Sequence, residues 1–279
     1  MFPQDIEVIK VDGTKERFNG KKLEESLRRS GADSLVASEV AAHVGKELVN
    51  GITTSDIYRH AFSVLRNKQK MASARYSLRR SLLALGPTGF PFEKFIGEMF
   101  KRMGFSVLLD QMVQGKCASH EMDIVSWNGE KLIMVEAKYH HEQAYKSDLK
   151  VALYVKARFD DFQDGSFSYG NRTKLDEGWL ITNTKFTEKA IHYAQCSGVK
   201  LVGWNYPERG NLHDLIATAG IHPITCLTTL SFGEKQTLME QGIVLCEDFI
   251  AQKAKLKALG WGDEQIEAVA AESILLCST

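Results

Sequence analysis

The chain has 279 residues, 44% apolar and 25% charged, and its 35 basic and 35 acidic side chains cancel to a formal net charge of zero. That length predicts two or three compact domains with enough apolar residues to fill their cores. No apolar run approaches a membrane span and no charged-then-apolar leader opens the sequence, so a cytoplasmic protein with no membrane partner is expected. Cys117, Cys196, Cys226, Cys246 and Cys277 show no Cys-x-x-Cys spacing, which argues against a zinc ribbon or a disulfide framework.

Residues 6 to about 85 open with two short strands joined by an Asp12-Gly13 turn. Helical stretches follow at 21–29, carrying Leu23 and Leu27, at 37–49, carrying Val40, Val44 and Leu48, and at 55–65, which Thr54 is expected to cap. A last helix over about 70–85 is broken by Gly86-Pro87-Thr88-Gly89. Up to Phe90 there are 15 basic and 10 acidic residues.

This order, with Lys10-Val11-Asp12-Gly13, Glu16-Arg17-Phe18-Asn19, Lys22-Leu23 and Gly51-Ile52-Thr53-Thr54-Ser55-Asp56-Ile57, resembles the ATP-cone. That small nucleotide-binding domain stands at the front of many ribonucleotide reductases and in a repressor of their genes. The resemblance implies that Lys10, Glu16, Lys22 and Thr54 lie at a bound ATP or dATP. Lysines would neutralise phosphate oxygens, and a hydroxyl at a helix N-terminus would add a donor beside the free amides. The zinc knuckle of the repressor is absent. Cones in reductases act by changing oligomeric state, so a homo-oligomer that responds to nucleotide is expected.

A helix over 91–100 comes next, with Phe92, Phe95, Ile96, Met99 and Phe100 as its apolar face and Gly104 as its stop. From Asp123 to Lys138 the chain reads as a hairpin: an acidic residue at a strand end, a tight Asn128-Gly129 turn, then an apolar strand ending Glu136-Ala137-Lys138. Alternation puts Glu136 and Lys138 on one face and Ala137 in the core, and the hairpin returns Asp123 beside them. Two carboxylates and an ammonium then converge, a set suited to Mg²⁺ and to phosphodiester cleavage. An acid two residues before a lysine also arises by chance, and Asp148-Leu149-Lys150 is a second copy. It lies in a stretch read as helix over 144–159, where such positions point apart.

Trp179 to Thr184 reads as a buried strand, followed by a helix capped by Thr187 and ended by Ser197-Gly198, then a strand over 199–204. A unit of this length implies a parallel pair with a crossover. Over about 90–215 these features resemble the restriction-endonuclease-like, PD-(D/E)xK nucleases, in particular their modified-DNA (Mrr-like) branch. The resemblance implies a mixed central sheet and sets Glu93 on the preceding helix at the catalytic centre, with Glu98 the lesser candidate. Many members of that branch carry Gln where this chain has Glu136.

Residues 91–220 hold 16 basic and 17 acidic side chains, so DNA binding would rely on a local groove of Lys131, Lys138, Lys146, Lys150 and Lys156. The loop over 163–177, with Phe167, Tyr169, Arg172 and Lys174, reads either as a DNA contact or as a solvated connection. His140 and His141 point apart on a strand end, which argues against a histidine metal site, with His141 left as a supporting group. The tail over 221–279 is helical, looks like a helix-hairpin-helix unit, and has 4 basic against 8 acidic residues. That charge favours packing or protein contact over phosphate binding.

The sequence therefore predicts an α/β chain of three parts: an αβ ATP-cone over 1–88, a restriction-endonuclease-like α/β domain over 89–220 and a helical region over 221–279. The expected activity is that of a Mg²⁺-dependent DNA endonuclease under ATP or dATP control. Glu93, Asp123 and Glu136 would serve the metal, and Lys138 the attacking water. The alternatives are a nucleotide-responsive DNA-binding regulator with an inactive nuclease fold, or a nuclease for branched DNA or RNA.

Overall fold

The computed structural model describes residues 6–10, 13–163 and 165–277, so the Val11-Asp12 part of the first turn lies outside the described residues. Strands β1 (Glu7–Ile9) and β2 (Lys15–Arg17) pair antiparallel. Helices α1 (Gly20–Arg29) and α2 (Ser34–Lys46) follow, then β3 (Ile52–Thr53), parallel to β1, and α3 (Thr54–Lys68). Leu27, Val40, Val44, Ala61 and Leu65 meet in a core of their own.

Two local expectations change here. The cap of α3 is Thr53, whose hydroxyl accepts from Asp56 N at 3.1 Å, and Thr54 is the first helical residue. The expected helix over 70–85 is two, α4 (Lys70–Tyr76) and α5 (Leu78–Leu83). Between them the Ser77 hydroxyl turns back to Ala74 O at 2.6 Å, the kind of local bond by which serine competes with a helix ladder.

Helix α6 (Phe90–Arg102) starts with Pro91 in its first turn and ends where Gly104 takes φ 88°. Strands β4 (Ser106–Gln114), β5 (Ser119–Trp127) and β6 (Leu132–Lys138) run antiparallel in succession. The β5–β6 connection is longer than the expected two-residue turn. Asn128 N donates to Lys131 O, while Asn128 Oδ1 accepts from Glu130 N and Lys131 N, both at 2.8 Å.

The short β7 (Lys146–Ser147) leads to α7 (Leu149–Asp161), β8 (Glu177–Thr182), β9 (Lys185–Phe186), α8 (Glu188–Ser197), β10 (Lys200–Val202) and α9 (Leu212–Ala219). Thr187 caps α8 and Gly198 closes it with φ 78°. The five-stranded sheet has the order β10-β8-β6-β5-β4, with β6, β8 and β10 parallel. It is the mixed sheet expected, its crossovers made by α7 and α8.

Two cores lie on its two faces. One packs Leu132, Met134 and Leu180 under Val155 and Phe159 of α7 and Ala190 of α8. The other joins Ile133, Val135, Ala137 and Ile181 to α6, to α4 and α5, and to the C-terminal helices α10 (Phe232–Glu240), α11 (Cys246–Ala251), α12 (Lys253–Ala258) and α13 (Asp263–Cys277). The turn after α10 is tied to α6: Gly242 O accepts from Lys94 Nζ at 2.6 Å. No helix of the described residues is long and apolar enough to cross a membrane.

Candidate active site

The site forms where β5 and β6 outrun their shared ladder. The last registered pair is Ile124 with Val135, so Asp123 falls opposite Glu136, and cross-strand neighbours share a face. Asp123 Oδ2 accepts from Ala137 N at 2.7 Å, which fixes the carboxylate against the neighbouring strand. Glu136 is 3% exposed. Lys138, two residues on and on the same face, donates from Nζ to Glu136 Oε1 at 2.5 Å. Asp123 lies within a nine-residue strand rather than at its end.

Two residues that spacing does not reveal complete the surroundings. Arg158 of α7, 8% exposed, donates from Nη1 to Glu136 Oε2, so both oxygens of Glu136 are engaged by cations. The available signal was an arginine one turn after Val155, beside Phe159, in an otherwise apolar stripe. Asp110 stands across from Asp123 where the β4–β5 ladder skips a pair, and it takes φ 52°. That left-handed conformation costs a non-glycine residue energy and is tolerated best by Asp and Asn.

Glu93 enters from the first turn of α6, on the other face of the sheet. Its carboxylate lies over Gly89, where a Cβ would come within 2.8 Å of Glu93 Oε1. Burial first, then the charges of Asp123 and Asp110, push Glu93 up to about 7. Burial and then Glu136 push Asp123 up to about 6, against the opposing pull of the Ala137 amide and of Lys138 and Arg158. This end of the sheet therefore carries more negative charge than its two cations offset.

Among the described residues, the group whose ligand atoms close to within 4.8 Å of one another is His43, Glu47 and His60, on the cone, rather than Glu93, Asp123 and Glu136. Glu136 is held by Arg158 and Lys138, and Asp123 by the Ala137 amide.

The second acid-x-lysine copy is structural. Asp148 is the N-cap of α7, its carboxylate accepting from Val151 N at 3.2 Å, and the helix begins at Leu149 rather than at 144. His140 and His141 diverge as expected: His140 Nε2 lies 3.1 Å from Ser147 Oγ, while the ring of His141 meets Tyr139. The proposed lysine groove is split. Lys131 precedes β6 and pairs with Glu177, whereas Lys138 ends that strand, about 23 Å away at roughly 3.3 Å per residue. Lys156 pairs with Asp160, while exposed Lys146 of β7 and Lys150 of α7 flank Ser147, whose hydroxyl meets His140, two residues past Lys138.

On the cone, Lys10 Nζ and Lys22 Nζ approach the same oxygen of Glu16, at 2.8 and 3.7 Å. The hydrogen bond from Lys10 is the main reason that the Glu16 carboxyl sits below its ordinary range. Thr54 lines a cleft between the cone and the rest of the chain.

Comparison with known proteins agrees with this layout. Family models match an ATP cone domain over residues 6–83, a restriction endonuclease domain over 86–205 and an AF1548-like C-terminal domain over 222–277. An uncharacterized protein of Archaeoglobus fulgidus is 34% identical over 182 residues, 64% of this chain and 97% of that protein. The crystal structure of AF1548, a protein of unknown function, superposes with a TM-score of 0.55 at 30% identity, covering 68% of this chain and 98% of AF1548. The chain thus belongs to the AF1548-like family, and it joins in order an ATP-cone, a nuclease-fold domain of the restriction endonuclease type and the AF1548-like C-terminal domain.

Proposed function

We propose that the chain is a Mg²⁺-dependent endonuclease acting on DNA, governed by ATP or dATP at the cone. The observation that carries this reading is the placing of Asp123, Glu136 and Lys138 on one face where the β5–β6 ladder stops. The donor set fits a hard divalent cation: it offers carboxylate oxygens, and its Asp123 and Glu93 are strained by burial and mutual repulsion that a cation would relieve. Asp123 and Glu136 would hold such an ion, with Glu93 on one of its waters or on a second ion. When bound, the ion would polarise the scissile phosphate and acidify a water.

The protein's own groups would do the rest. Lys138, its ammonium aimed across the face by Glu136, would orient the attacking water and offset charge on the phosphate. Arg158 would fix Glu136 and, with Lys138, supply both of its oxygens with donors. Exposed Lys146 and Lys150 would take DNA phosphates on the same side. Supercoiled plasmid incubated with Mg²⁺ tests this. Wild type should nick it, and Asp123→Ala and Lys138→Ala should lose at least about 100-fold in rate with unchanged circular dichroism, in line with typical losses for general acid–base groups. Unchanged cutting by either variant would sink the assignment.

One observation favours a second reading. Both Glu136 oxygens are already held by cations, which is what a sheet that no longer binds metal would retain. If wild type cuts neither linear, modified or branched DNA nor RNA with Mg²⁺ or Mn²⁺, yet binds DNA in a nucleotide-dependent way, the chain is a regulator. Nucleotide-dependent assembly belongs to either reading, and light scattering with no nucleotide, ATP and dATP should give more than one mass.

A further inference from the structure

A cleft lies at the seam where the cone meets the nuclease and C-terminal parts. Its volume is about 620 Å³, within the range of roughly 300–1,000 Å³ that small-molecule sites occupy. Five arginines line it: Arg28 and Arg29 of α1, Arg75 of α4, and Arg79 and Arg80 of α5. No Asp or Glu is among its described lining residues. The opposite wall brings Trp204, which follows β10, together with His213 of α9 and His222.

Two polar groups in this lining are buried without a partner among the described residues. They are Nε of Arg79 and Nδ1 of His222, the latter on a side chain 9% exposed. Buried polar atoms are seldom left unbonded, so such atoms in a cationic cleft indicate a ligand that accepts hydrogen bonds. Arg79 also lies over Trp204, 5.9 Å from the ring centroid, which ties the cone-side arginine to the nuclease side of the seam. Arg80 is anchored by the Tyr58 ring at 3.8 Å and by Ser55 O.

We propose that this seam cleft holds the phosphate groups of the nucleotide effector, so that one ligand touches the cone, the nuclease and the C-terminal part together. The proposal rests on the effector reading above and assigns it a place. Thr54, which the cone resemblance puts at the nucleotide, lines this cleft, whereas Lys10, Glu16 and Lys22 do not. The same site has a route to the catalytic end. Arg79 and Arg80 stand on α5, whose Leu83 O accepts from the hydroxyl of Tyr139 at 2.6 Å, and Tyr139 directly follows Lys138. Gln236 Nε2 donates to Gly86 O at 3.0 Å and holds the next stretch from the C-terminal side. A ligand that binds the closed seam better than the open one would shift the segment that leads to Glu93.

Equilibrium binding of ATP and dATP to the full chain tests the assignment. Arg79→Gln should weaken nucleotide at least tenfold, and Arg29→Gln, on the exposed rim, should weaken it severalfold; Arg29→Gln keeps the test open should Arg79→Gln fail to fold. Nucleotide should also change Trp204 emission, a change absent from Trp204→Phe. Wild-type affinity in both arginine variants, with loss in Lys22→Gln, would overturn the seam site while leaving the effector reading intact. No binding of either nucleotide to wild type at millimolar concentration would overturn both.

Discussion

Arg158 and Arg79 are both largely buried arginines on helices that flank a candidate site, and they stand in opposite electrostatic positions. Arg158 is bonded to Glu136, a carboxyl partner in a cluster with more acidic than basic side chains. The Nε of each lacks a partner, but Arg79 has no carboxylate in its cleft and a guanidinium that burial lowers to about 10. One arginine neutralises; the other waits to be neutralised. The nuclease end of the sheet is thus a place where a cation would be welcome, and the seam a place where an anion would. In each case the uncompensated charge, rather than the hydrogen-bonded part, identifies the missing ligand.

The sharpest way to break this contrast is to remove each guanidinium in turn. Arg158→Met leaves Glu136 buried with Lys138 alone, and breaking a buried pair in this way costs about 3–5 kcal/mol. Urea unfolding should show that loss. Arg79→Met removes a partly buried cation that has no counter-ion, so its effect should lie within about 1 kcal/mol of wild type, on the stabilising side, with nucleotide binding lost. Equal losses from both variants would mean that Arg79 has an ionic partner after all.

The fold was legible because its signals are local. Helical spacing of Phe92, Phe95, Ile96, Met99 and Phe100 marked α6, and Thr187 with Gly198 bracketed α8. Asp123, Glu136 and Lys138 were legible because a hairpin turns sequence separation into cross-strand register. Arg158 was not, since it is 22 residues from Glu136 and reaches it across a crossover helix. The seam was invisible for a stronger reason. Its arginines stand on three helices, and only the docking of separate domains brings Trp204 and His222 opposite them. The misplaced cap at Thr54 and the undivided 70–85 helix have a smaller cause: in each, one hydroxyl chose a backbone partner that spacing alone does not specify.

The seam also predicts a pH response. Burial first, and then the charge of Arg75, hold His222 down to about 4, whereas an unfolded histidine titrates near about 6.5. Between those values the unfolded chain takes up a proton that the folded chain refuses. Stability is therefore complete above about pH 6.5, falls as pH drops through the window and levels off below about 4, with a ceiling near 3 kcal/mol. His222→Gln should flatten this slope in urea titrations at pH 7, 5.5 and 4.5. A bound phosphate should flatten it as well, because an anion favours the protonated imidazole; a nucleotide that leaves the slope of wild type unaltered does not sit beside His222.

The smallest effect separates structure from recognition within one turn of α3. Thr53 and Thr54 are adjacent and chemically identical, yet the Thr53 hydroxyl caps the helix and the Thr54 side chain lines the cleft. Thr53→Ala removes a cap and should cost about 1 kcal/mol, with nucleotide affinity little changed. Thr54→Ala gives up no cap and should leave stability unchanged or raise it by about a few tenths of a kcal/mol through helix propensity, with its effect appearing in nucleotide affinity instead. Because the two substitutions delete the same atoms one residue apart, any exchange of these outcomes would locate the ligand on the hairpin side of α3 and away from the arginines.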